Sequence, residues 1–134
     1  MTRTRCAAYL IALCAALSCG GPTDAPPPPA PPEPGHLTLS LASPATDDGA
    51  MVLEMTGNAM GSVAPVDTTV FLLADSTGGG GVRVVLAGNL VSGPLLSFSV
   101  PDVHAAYRAT LLQVGDRGSH ARADLTKYSL TISH

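Results

Sequence analysis

Asp116-Arg117-Gly118-Ser119-His120 sets a carboxylate, a hydroxyl and an imidazole within one short stretch, the three groups of a nucleophilic relay. Such relays are assembled from distant parts of a fold rather than inside one loop, so the stretch reads as a solvated connection. Asp75-Ser76-Thr77-Gly78-Gly79-Gly80-Gly81 has the glycines of a phosphate cradle. A phosphate loop also needs a lysine and a helix start just behind the glycines, whereas Arg83 falls in a strand pattern, so a mobile strand connection is expected. Asp47 and Asp48 could contribute to a calcium site, but that ion takes roughly six to eight oxygens and no D-x-[DN]-x-[DN]-G follows. With Gly49 they read as a turn. His36, His104, His120 and His134 show neither H-x-H nor H-E-x-x-H spacing, so no metal is expected on them.

There is no G-x-S-x-G elbow, and the serines fall mainly on polar strand positions or in loops. The chain is therefore expected not to be an enzyme and to need no cofactor. It is 46% hydrophobic and only 13% charged, with a formal charge of −3, which excludes a polybasic nucleic-acid binder and predicts a folded part.

Stepping N-terminally, Arg3 and Arg5 precede an uncharged run from Cys6 to Leu17. Twelve helical residues span about 18 Å, short of the roughly 30 Å hydrocarbon core, so an export signal fits better than a permanent membrane helix. The segment Ala15-Ala16-Leu17-Ser18-Cys19-Gly20 resembles the lipobox of bacterial lipoproteins. That resemblance implies cleavage before Cys19 and acylation of Cys19. Ala16 stands where that pattern usually has Leu, and Ala16-Leu17-Ser18 is also a small-x-small site of the kind an ordinary signal peptidase accepts.

Cys19 favours lipidation. Cys6 and Cys14 leave with the leader, so Cys19 would be the sole cysteine of the mature chain and no disulfide framework is expected. Cleavage would also leave five basic residues against ten acidic ones, a formal charge of −5 that anionic headgroups and nucleic acid do not attract. Membrane contact would come from lipid alone.

Eight of the twelve prolines lie between Pro22 and Pro34. Proline lacks an amide donor and pushes its predecessor toward extended backbone, so this tract forms neither helix nor central strand. Residues 22–35, at about 3.1 Å each, reach about 43 Å and predict a semi-rigid spacer. No Lys or Arg flanks the run to orient it as a PxxP ligand.

From His36 the hydrophobic period becomes two. Leu37, Leu39 and Leu41 alternate with Thr38 and Ser40, and Met51, Leu53 and Met55 lie on one face with Glu54 and Thr56 opposite. Thr68–Ala74, apolar on both parities through Val70–Leu73, is expected to be a central strand. Further strands are expected around Val82–Leu86, Leu96–Val100, Tyr107–Val114 and Lys127–Ile132; Val103–Arg108 alone has helical ambiguity. Of the four aromatics outside the leader, Phe71, Phe98, Tyr107 and Tyr128, most fall on inward faces, Tyr107 least clearly.

The expected fold is all-β: one antiparallel sandwich of about seven strands over residues 36–134, after a signal peptide (1–18) and a lipidated Cys19 with a disordered linker (19–35). Its pattern is generally similar to immunoglobulin-like and cohesin-like sandwich domains, without the Cys and Trp hallmarks of the former. The expected function is a lipoprotein anchored to a bacterial envelope membrane, at the outer membrane or cell surface, with a non-catalytic structural or protein-interaction domain. The expected contacts are membrane lipid, through acylated Cys19, and an envelope protein partner. The alternative is a carbohydrate-binding or calcium-dependent adhesion module on the same anchor.

Overall fold

The computed structural model describes residues 26–134. The leader, Cys19 and the first part of the linker lie outside the described residues. Residues 26–30 are exposed and carry no regular structure. Pro31–His134 form a two-layer antiparallel β sandwich of eight strands. These are β1 (Gly35–Ala42), β2 (Asp48–Gly57), β3 (Val63–Pro65), β4 (Phe71–Gly78), β5 (Gly81–Leu90), β6 (Gly93–Val100), β7 (Tyr107–Asp116) and β8 (Ser129–Ser133). One sheet runs in the order β3-β6-β1-β8 and the other β4-β5-β2-β7. Among the described residues no helix is long and apolar enough to cross a membrane.

Period-two alternation decides which residues enter the core. Leu37, Leu39 and Leu41 of β1 are buried, and so are Met51, Leu53 and Met55 of β2 and Val84 and Leu86 of β5. The first sheet turns its other parity outward mainly as hydroxyls, with Ser97, Thr38 and Ser133 forming one rung and Pro94, Ser40 and Thr131 the next. In β6 the alternation breaks, because Leu95 and Leu96 are both buried. The pairing with β1 shifts between Leu39 and Ser40, the mark of a bulge that turns two consecutive side chains inward.

Phe98 is fully buried at the centre of the first sheet, opposite Leu37 on one side and Val63 on the other. Its ring meets Tyr107 edge to face, with centroids 5.9 Å apart and planes at 72°. The Tyr107 hydroxyl donates to the Asp102 carbonyl at 3.0 Å, tying the start of β7 to the preceding turn. Val103–Arg108 is accordingly turn and strand, not helix.

Three sequence expectations need correction. The strands number eight rather than seven, because Val63-Ala64-Pro65 is too short for alternation to be visible and gains its identity only by pairing with Phe98, Ser97 and Leu96. The run expected as a central strand is β4, at the edge of its sheet. The third concerns Phe71, which points outward and is 63% exposed instead of joining the core. The apolar residues on both parities of β4 therefore do not signal burial on both faces.

Candidate functional site

The outer face of the β4-β5-β2-β7 sheet gathers apolar side chains where the other sheet has hydroxyls. Register puts Phe71, Ala87, Ala50 and Gly115 on one rung, and Leu73, Val85, Val52 and Gln113 on the next. A third rung, Asp75, Arg83, Glu54 and Thr110, closes the apolar zone with charge, and Arg83 and Glu54 approach to 3.8 Å. Leu73 is 57% exposed and Leu112, displaced by a bulge in β7, is 42% exposed. Isolated exposed leucines are ordinary, whereas here apolar side chains run side by side across neighbouring strands.

At the opposite end from the charged rung, a recess of about 500 Å³ opens on this face. Ala50, Val52, Gly88 and Gln113 line it, and the 116–121 turn contributes Arg117 and His120. The turn is closed by the Asp116 amide donating to the His120 carbonyl at 2.9 Å and by a bridge between Gly115 and Ala121. Ser119 takes φ of 67°, the left-handed conformation that a tight turn demands. His120 meets Asp116 through Nδ1 at 3.3 Å, while Ser119 serves the turn through its backbone amide, bonded to the Asp116 carbonyl at 3.1 Å. The acid and imidazole of this stretch, with the Ser119 backbone, thus build a turn.

That turn is held from below by a polar cluster built on the Asp47-Asp48 pair. Asp48 is fully buried at the first position of β2, so the β1–β2 connection spans residues 43–47 and not the Asp-Asp-Gly turn expected from sequence. Its carboxylate accepts from the Ser43 hydroxyl at 2.5 Å, the Tyr128 hydroxyl at 3.0 Å and Arg122 Nε at 3.2 Å. Arg122 also reaches Asp47, and its own amide donates to Val114 at 2.8 Å. Arg117 donates from its amide to the Asp47 carbonyl and from its guanidinium to the Thr46 carbonyl, both at 2.9 Å.

Asp47 and Asp48 therefore share one guanidinium. Bonding to Asp47 raises the Arg122 pKa above its ordinary value and keeps it charged, and burial holds the Tyr128 hydroxyl above its usual range. A cation placed on these carboxylates would have to displace Arg122.

The other chemistry-bearing residues are dispersed. Gly78, Gly79 and Gly80 all take positive φ and turn β4 directly into β5, so the glycine run is a hairpin whose pairing continues to Gly78 and Gly81. His36 lies on β1 opposite Ser99, and His104 pairs with Glu33 at 3.1 Å. Among the described residues no three His, Cys, Asp or Glu side chains group as a metal site.

The apolar face escaped the sequence reading, although the signal was present. β2 and β5 carry Ala50, Val52, Val85 and Ala87 on the parity opposite to their buried residues, so the outward apolar row could be read from their two parities.

Three aspartates predict an acid limit to stability. The Asp116 carboxylate is held below its ordinary 3.8 chiefly by the His120 amide. Asp67 is lowered by the amide and hydroxyl of Thr69, and Asp124 by the hydroxyl and amide of Thr126. Groups with lowered folded pKa values contribute stability that is complete above the unfolded value and is lost as pH falls through the folded one. The melting temperature should therefore hold from pH 7 to 5 and fall progressively below about pH 4. Asp116→Asn should flatten part of that fall, and an unchanged slope in this variant would refute its share.

No protein-family model, no curated protein and no solved structure matches this chain.

Proposed function

We propose that this chain is an exported lipoprotein of a bacterial envelope, anchored through acylated Cys19, whose sandwich is a non-catalytic protein-interaction module. In this reading the Pro-rich segment holds the module off the outer membrane or cell surface, and the outer face of the β4-β5-β2-β7 sheet receives an envelope protein. The module is of the general immunoglobulin-like or cohesin-like sandwich kind.

One observation carries the reading: Phe71, Leu73, Val85 and Val52 lie side by side on an outward sheet face, while the outward face of the other sheet is mainly Ser and Thr, with His36, Ala64 and Pro94 among them. Covering such apolar surface is favourable by about 25 cal/mol per Å², a driving force the hydroxyl face lacks. The polar 116–121 turn at one end and the Asp75–Arg83–Glu54 rung at the other supply the hydrogen-bonding rim that interfaces place around an apolar centre.

Phe71 also favours a second reading, glycan binding, since sugar rings stack on exposed aromatic faces. Its partners on that rung are Ala87, Ala50 and Gly115, which offer a ring no second aromatic.

One experiment tests both the anchor and the face. The full chain is expressed in bacteria fed an alkyne-tagged palmitate, with a photo-crosslinking residue at Val52 or, as control, at Thr38. Label that Cys19→Ala abolishes, together with a discrete protein adduct from position 52 alone, is the expected result. An unlabelled chain would overturn the anchor. Equal adducts from both faces, or none from either, would overturn the interaction face.

A further inference from the structure

A sandwich has four sheet edges, and three of these are blunted. β3 is three residues long and ends in Pro65, which has no amide to offer. β8 is five residues long. β7 carries Arg108 and a bulge where its register with β2 shifts at Val52 and Leu53.

β4 is protected only toward its C-terminal end, by Asp75 and by a register shift between Ser76 and Gly78. It runs for eight residues without Lys, Arg or Pro, and its register with β5 is regular from Phe71 to Ser76. Among the described residues its backbone bonds to β5 alone, which leaves its other edge unpaired. Phe71, Leu73 and Ala74 are exposed on it, and a recess of about 480 Å³ lies alongside, between β3 and the start of β4.

We propose that the free edge of β4 pairs antiparallel with β4 of a second copy of this chain, giving a two-fold dimer with one continuous eight-stranded sheet. The charge pattern favours a copy as the occupant. Antiparallel pairing about a two-fold on Leu73 sets Leu73 against itself and Phe71 against Asp75, so no like charges face each other. Asp75 keeps Arg83 beside it on its own β5. The central residues, Phe71 to Ala74, are uncharged, so pairing desolvates no ion at the axis. The pairing would also extend the Leu73-Val85-Val52 rung across the axis, doubling the apolar face.

The inference concerns the edge and not the centre of the face, so it stands or falls separately from the crosslinking of position 52. The test uses the full chain, in detergent where it carries lipid. Directly opposed residues in an antiparallel pair have Cα atoms about 4.5–5.5 Å apart, within disulfide reach, so Leu73→Cys should form a reducible dimer near twice the chain's mass. Thr38→Cys, on the other sheet, should not. Leu73→Lys places two ammonium groups together at the axis and should weaken the dimer at least tenfold by sedimentation, with an unchanged far-ultraviolet spectrum as the check on folding. A monomeric parent chain, or crosslinking from Thr38→Cys equal to that from Leu73→Cys, would each overturn the proposal.

Discussion

Replacing Asp48 by alanine is expected to destabilise the domain by about 3 kcal/mol, lowering the melting temperature by about 12 °C or more. The carboxylate is fully buried and accepts from Ser43, Tyr128 and Arg122. Its removal leaves the Tyr128 hydroxyl without its acceptor, the Ser43 hydroxyl with the Ala45 carbonyl alone, and a guanidinium short of one partner. Losing one member of a buried ion pair costs about 3–5 kcal/mol, and the lower end applies because Arg122 keeps Asp47 and is partly exposed. Asp48→Asn preserves volume and one acceptor oxygen and should cost about half as much. Thermal unfolding of both variants measures this, and a loss below about 1 kcal/mol for the alanine would mean that the cluster is passive. Amide exchange at Arg117 and Arg122 should quicken in parallel, because the same cluster holds the turn that walls the recess.

Phe98→Ala should cost about 4 kcal/mol, and Phe71→Ala should stay within about 0.5 kcal/mol of the parent. The first ring is wholly buried and also loses its edge-to-face contact with Tyr107, whereas the second is 63% exposed on the outer face. Phe98→Leu, which retains most of the volume, should cost under about 1.5 kcal/mol. Denaturant unfolding distinguishes the three. Equal losses at the two phenylalanines would mean that Phe71 is buried, and the apolar face would then lose its most exposed member.

These two phenylalanines show how far the sequence could be read. Phe98 sits between Ser97 and Ser99 in a run whose parity is clean, so its inward orientation was legible. Phe71 sits in Val-Phe-Leu-Leu, where neither parity is polar, and a local pattern cannot say whether such a strand is sandwiched or lies at an edge. The polar cluster was legible only in part. Asp47 and Asp48 stood out, but their partners Arg122 and Tyr128 lie 74 to 80 residues away from them, and nothing local pairs them.

The sequence by itself determined that the domain is all-β, that Leu37, Leu39, Leu41, Met51, Leu53 and Met55 form inward faces, and that the described prolines from Pro26 to Pro34 join no sheet. Each of these follows from near-neighbour chemistry: the two-residue pleat and the missing proline amide. Tertiary structure alone decided the strand order, the identity of β3, the exposure of β4 and the conversion of an Asp-Asp pair into an arginine seat. Those depend on which distant strands share hydrogen bonds, and pairing over such separations leaves no trace in the local period.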